Sequence, residues 1–395
     1  MRILVVAACP LPWPRGTPIR IHRLAEALVH RGHEVHVATY PLGDQGTPTP
    51  YILHRVGRQT STMDARPGPS LKKLLVLDPM LVRKVRKLLD EIEFDVIHAH
   101  HYEGLITALI ARRTRHNVPI VYDAHTLLAT ELPYYDLPIP PKLAERIGLW
   151  LDAGLPRRAD HIVAVTAGMR EWLTREGAAS DARVSLVQNG VEHEHFSVPA
   201  SQDRGARRRR VVYSGNLAEY QGVDLLLGAF ARVRAEAPDA QLVLVTDSSP
   251  SWLGQKLEAL EIAASVSIVQ VDFEHLPDAL VEADVLVNPR PYCDGLPQKL
   301  LNYMATGRPI VSFAGSADLL EHENTALLVL DGDIEGLAHA ILRVLNDPDL
   351  AARLGANARE EVVATRGWRQ VADRVERVYC KVTSERPHLV ARPRA

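Results

Sequence analysis

A chain of 395 residues is too long for one hydrophobic core, because single cores stop growing near about 250 residues, so about two domains are expected. Its 46 % hydrophobic and 24 % charged content is globular and excludes a disordered chain. The 46 basic and 48 acidic side chains nearly cancel, which excludes a bulk polyanion binder such as a nucleic-acid coat protein. The balance is uneven along the chain. Residues 1–200 hold 24 Lys and Arg against 21 Asp and Glu, and 13 of the 17 histidines; the remainder holds 22 against 27.

Ile3–Ala8 is a continuous β-branched run and predicts a strand buried on both faces. Ile21, Leu24, Ala25 and Leu28 recur at helical spacing, Gly32 stops that helix, and Glu34–Thr39 reads as the next strand. Further short buried strands are expected at Asp95–Ala99, Ile120–Tyr122 and His161–Val165. Helices near 103–114, 141–158 and 167–176 separate them. Such alternation predicts a parallel sheet with helices on both faces.

The pattern breaks over 193–210, which has no periodicity, a proline and a basic run, and reads as a linker. A second series follows. Strands are expected at Val211–Tyr213, Gln241–Val245, Val266–Val269, Asp284–Val287 and Pro309–Ser312, with helices near 223–235, 251–263, 297–306 and 334–346. The last helix, near 367–382, places Trp368, Val371, Val375 and Val378 on one stripe. The expected division is a first α/β domain over 1–192, the linker over 193–210, a second α/β domain over 211–365, and a closing helix and tail over 366–395. Ligands in doubly wound sheets bind beyond the carboxyl ends of the strands, so the strand-end loops are where chemistry is sought.

Cys9, Cys293 and Cys380 lie far apart with no CxxC pair, which disfavours a zinc knuckle or disulfide framework and favours a reducing, cytoplasmic compartment. The apolar start is about seven residues long and ends in prolines, so it does not read as a signal peptide. GxGxxG after the first strand, GxxxxGK[ST] and HExxH do not occur.

Several loops stand out instead. Gly16 leads from the first strand into a helix whose N-terminus suits phosphate, although a plain tight turn explains it equally well. His100 and His101 follow one strand and His125 follows another. A histidine there serves structure about as often as it polarises a leaving oxygen or binds a hydroxyl. VQNGV (187–191) demands a turn. The second domain carries YSGNLAEYQG (213–222) and CDGLPQKLLNYMATG (293–307), where amides near Gly295, Leu296, Pro297 and Gln298, with Lys299, suit a phosphate. DGD (331–333) looks like a metal-binding DxD, but Asp333 reads better as a helix N-cap, and EHEH (192–195) reads as a solvated loop.

These blocks, with VQNGV and the helix ending in RGHEV, resemble glycosyltransferase family 4 over nearly the whole chain. The resemblance implies the GT-B fold: two Rossmann-like domains facing across a cleft, with a closing helix that crosses back. It implies hexosyl transfer from a nucleotide sugar, retaining and metal-independent, with no cofactor beyond the sugar nucleotide as co-substrate. It assigns Gly16 to a donor phosphate turn and His125 to the reaction centre. Asp294 and Asn302 take the two positions of an E-x7-E pair. Gly215, Asn216 and Gln221 fall in the donor phosphate loop, and His100 and His101 lie on the acceptor side.

This sequence departs from the family pattern, which has Arg after the second-domain glycine and Lys five residues later; here these are Asn216 and Gln221. Arg20 and Lys299 are the cations expected to compensate. Ser70–Ile92 mixes leucines with Lys72, Lys73, Arg83, Lys84, Arg86 and Lys87. This pattern fits a peripheral contact with an anionic membrane or a domain helix with a solvated basic face. The acceptor is then a glycan, a lipid-linked or a small molecule. Two other readings share the fold: a nucleotide-sugar 2-epimerase, and a family member that binds without catalysis.

Overall fold

The computed structural model describes residues 1–12, 17–43, 46, 48–57, 73–112, 117–134, 139–176, 179–196, 209–248, 251–293 and 297–385. The chain forms two compact units, Met1–Asn189 with Trp368–Ala395, and Gly190–Gly367. Gly16, Asp294, Gly295, Leu296, Lys72 and most of the expected linker lie outside the described residues.

The first unit is a seven-stranded parallel sheet. In chain order it runs β1 (Arg2–Ala7), α1 (Thr17–His30), β2 (Glu34–Thr39), β3 (Ile52–Arg55), α2 (Asp78–Glu91), β4 (Val96–His100) and α3 (His101–Arg112). It continues with β5 (Ile120–Ala124), α4 (Leu128–Glu131), α5 (Pro141–Gly154), β6 (His161–Ala164), α6 (Ala167–Arg175) and β7 (Val184–Leu186). The strand order is 3-2-1-4-5-6-7.

Successive strand residues point to opposite faces, which separates two cores. Leu4, Val6, Ile97 and Ala99 pack beneath α2 and α3. Ile3, Val5, Val96 and Val163 pack beneath α1. The closing helix, Trp368–Ser384, joins this second core through Trp368, Val371, Val375, Val378 and Tyr379.

The second unit has six parallel strands: β8 (Arg210–Ser214), β9 (Gln241–Val245), β10 (Val266–Val269), β11 (Val285–Asn288), β12 (Ile310–Phe313) and β13 (Leu327–Val329), in the order 10-9-8-11-12-13. Its helices are α7 (Val223–Glu236), α8 (Trp252–Ala259), α9 (Leu276–Val281), α10 (Gln298–Thr306), α11 (Ile334–Asn346) and α12 (Pro348–Thr365); the closing helix is α13. Both units share one winding. The order reverses beside the first strand of each, which opens a crevice at the carboxyl ends of β1 and β4, and again at those of β8 and β11.

Some expectations need correcting. β3, β7, β13 and α12 carry no prediction above, and the helix expected over 251–263 ends at Ala259. Asp333, by contrast, is the N-cap expected of it, accepting from Gly336 N–H at 2.8 Å at the start of α11, and Asp331 accepts from Gly315 N–H at 2.8 Å. Phe196, in the expected linker, is fully buried in the second unit. No helix among the described residues is long and apolar enough to cross a membrane.

Candidate active site

In the first unit the crevice gathers a buried polar cluster. Arg20 on α1 is 2 % exposed and Asp123 on β5 is fully buried. The guanidinium donates to both carboxylate oxygens, Nε to Oδ2 at 3.0 Å and Nη2 to Oδ1 at 3.2 Å. It also donates to the Val187 carbonyl and to Asn189 Oδ1, each at 3.0 Å. VQNGV is therefore an anchor for Arg20 as well as a turn. Arg20, expected from sequence among the donor-phosphate cations, thus engages Asp123, Val187 and Asn189.

Three histidines surround the same carboxylate. Asp123 Oδ2 lies 3.5 Å from His98 Nε2, 3.4 Å from His100 Nδ1 and 4.0 Å from His125 Nε2. His100 Nδ1 and His125 Nε2 share a hydrogen bond at 3.1 Å, and the His125 ring stacks on His101 at 4.5 Å between centroids. His101 is held at φ +59° at the start of α3, where its Nε2 meets Thr17 Oγ1 at 2.8 Å. Tyr379 of α13 reaches His98 Nδ1 at 2.7 Å.

Burial pushes His100 and His125 well below the ordinary histidine range, so both are neutral at pH 7. Burial disfavours the Asp123 carboxylate, but the Arg20 guanidinium beside it outweighs that and holds it well below the usual carboxylate range. His98, His100 and Asp123 are close enough to share a cation; the Arg20 guanidinium already fills that role at both carboxylate oxygens. His100, expected to face an acceptor, is 1 % exposed and braces His125 instead.

The second crevice holds the residues expected in the donor phosphate loop. After β8 the chain turns at Gly215, with φ +141°. Asn216 Oδ1 accepts from Ala218 N–H at 3.1 Å and its amide donates to Tyr220 at 3.1 Å. Gly222 sits at φ +66° and starts α7; a Cβ there would lie 2.2 Å from the Pro289 carbonyl oxygen, so this approach of β8 and β11 loops requires glycine.

Lys299, in the first turn of α10, donates to Gln221 Oε1 at 2.6 Å and lies 4.4 Å from the centre of the Tyr213 ring. Its ammonium is thus beside the side chain that replaces the family lysine. Burial and the neighbouring Arg290 push Lys299 down to about 7. Arg290 stacks over Tyr220 at 4.9 Å. Pro297 and Asn302 are buried, and Gln298 donates to the Gly190 carbonyl at 2.9 Å. Sequence reasoning passed over Asp123, His98, Tyr379, Tyr213 and Arg290. Asp123 and Arg290 left a signal, as charged residues just beyond predicted strands.

Comparison with known proteins bears on this geometry. Residues 14–195 match Glycosyltransferase Family 4 and residues 208–347 match Glycosyl transferases group 1. Glycogen synthase of Mycobacterium tuberculosis is 24 % identical over 96 % of this chain and 94 % of its own length. Phosphatidyl-myo-inositol mannosyltransferase of Mycolicibacterium smegmatis is 27 % identical over 96 % and 93 %. Sucrose-phosphate synthase from Thermosynechococcus elongatus superposes with a TM-score of 0.79 at 22 % identity, covering 98 % of this chain and all of that one. Two Rossmann-like units with this winding and these matches define a GT-B glycosyltransferase, a hexosyltransferase that uses a nucleotide-sugar donor. The chain belongs to glycosyltransferase family 4.

Proposed function

We propose that this enzyme moves a hexosyl group from a nucleotide sugar to a glycan, lipid-linked or small-molecule acceptor, with retention of anomeric configuration and no bound metal. One observation carries the reading: Lys299 stands against Gln221, so a cation occupies the phosphate loop although the family lysine is gone. Charge that builds on a leaving diphosphate needs such a preorganised cation, and the amides at Gly215 and the start of α10 add to it. In this reading Asp294 is the anion beside the donor sugar, and Asn302 bonds the ribose. His125 is neutral and donates an N–H to a sugar hydroxyl, its ring set by His100 and Asp123. The use of Asp331 and Asp333 as backbone acceptors supports transfer without a DxD-bound metal.

Thermal unfolding with UDP-, GDP-, ADP- and dTDP-sugars identifies the donor, because a bound ligand raises apparent stability by mass action. Turnover of that donor is then measured with and without acceptor, against His125→Ala. Transfer that collapses in the variant is the expected result. Conversion of the donor sugar without acceptor would replace the reading with an epimerase. Stabilisation without turnover would replace it with a binding protein.

A further inference from the structure

The helices that cover one face of the first sheet leave an apolar cavity, which Tyr102 and Glu103 of α3 also line just beyond β4. It has a volume of about 540 Å³ and is walled by Val82, Ile106, Ile110, Leu128, Leu132 and Leu151. Cavities of this size hold small ligands, and an apolar wall selects a hydrocarbon. Leu74, at its edge, is 60 % exposed, and its neighbour Leu75 is 70 % exposed. On α5, Leu143, Ile147 and Trp150 share the stripe of Leu151 by helical spacing, and all three are exposed. Contiguous apolar surface of this kind marks a contact site.

The charges at the cavity choose the occupant. Lys73, Arg83 and Arg86 line it, against Asp78 and Glu103. Asp78 is turned inward, where it accepts the Tyr40 hydroxyl hydrogen bond. Residues 73–91 carry five cations and three anions, a net +2. Arg83 is exposed while lining the wall, which puts a cation at the opening. A protein partner would use the apolar surface without needing this basic edge; an anionic lipid uses both.

We propose that the cavity between α2, α3 and α5 receives one hydrocarbon chain of an anionic phospholipid, with Lys73, Arg83 and Arg86 at its headgroup. None of the lining residues is proposed to act in transfer, so the test does not depend on turnover.

The full chain is sedimented with vesicles of dioleoyl phosphatidylglycerol or dioleoyl phosphatidylcholine at low and high salt. Phosphatidylglycerol with a diazirine at the end of one chain is then photolysed with the protein, and the adducts are located by mass spectrometry. The expected result is salt-sensitive binding to phosphatidylglycerol alone, with adducts on cavity residues. Arg83→Glu and Ile110→Glu should each lower the bound fraction at least about fivefold, the effect of roughly one surface cation. Both positions are exposed, and thermal unfolding confirms that the variants fold; Ile110→Gln serves if Ile110→Glu does not. Absence of binding to phosphatidylglycerol, adducts elsewhere, or unchanged binding in the folded variants would overturn the proposal. So would light scattering that shows a dimer without lipid, broken by Ile110→Glu.

Discussion

Exchanging the residues at 221 and 299 tests whether the phosphate-loop cation has moved from one helix to another in this chain. Lys299 Nζ is 2.6 Å from Gln221 Oε1, so either side chain reaches the same place. Lys299→Ala removes a charge-assisted contact worth about 1.5–3 kcal/mol, or roughly 10- to 150-fold in kcat/KM for the donor. Gln221→Lys alone puts two ammonium groups within about 4 Å, a repulsion of about 4 kcal/mol at an effective dielectric of 20, so it should also impair the enzyme. The double exchange Gln221→Lys with Lys299→Gln should recover most of the loss.

The assay is initial rate against donor concentration at fixed acceptor, from below to above pH 7. Lys299 is pushed down to about 7 in the free enzyme, so kcat/KM for the donor should fall as pH rises through that value. Lys299→Arg should flatten the profile, because arginine stays charged. A loss below tenfold in Lys299→Ala, or a double exchange no better than Lys299→Ala, would refute a relocated cation.

The remaining predictions concern the buried framework. Asp123→Asn leaves Arg20 an uncompensated buried charge and should cost about 3–5 kcal/mol in urea unfolding; a cost near zero would mean that the pair is dispensable. Unfolding followed against pH should show the wild type losing stability as pH drops below about 6.5. There the unfolded chain binds protons that folded His100 and His125 refuse, and the depressed Asp123 extends the loss below about pH 4; a flat profile would contradict this. Tyr379→Phe removes the 2.7 Å contact with His98 and should lower stability by about 1–3 kcal/mol, read from the denaturant midpoint. Gly222→Ala should cost more than about 2 kcal/mol in thermal unfolding, since left-handed strain alone is about 1–2 kcal/mol and the new Cβ meets Pro289.

The alternation of buried strands and amphipathic helices was open to reading because parallel strands covered on both faces are continuous apolar runs. The strands that escaped were β3, β7 and β13, which lie at sheet edges and are only partly buried. Helix α12 escaped because its Ala- and Arg-rich segment has a narrow apolar stripe, although Asp347 caps it by accepting from Leu350 N–H at 2.9 Å. His125 was visible as a polar residue just past a strand end, and Lys299 as a cation at the start of a predicted helix. Asp123 stood directly past a predicted strand as well, but its role was not legible because its partner Arg20 is 103 residues away.

Composition, periodicity and motif order by themselves determined two doubly wound α/β units and the family, and singled out the loops to which chemistry is assigned in the proposal. Those properties are local, set by repeats of two and 3.6 residues and by turn-forming glycines. The fate of each charge was decided only in the tertiary structure. Arg20 and Lys299 both read as cations for a diphosphate; the strand order brings Asp123 of β5 to Arg20, whereas Lys299 meets an uncharged glutamine. A buried cation binds the nearest carboxylate, and which carboxylate is nearest depends on how strands far apart in sequence lie side by side.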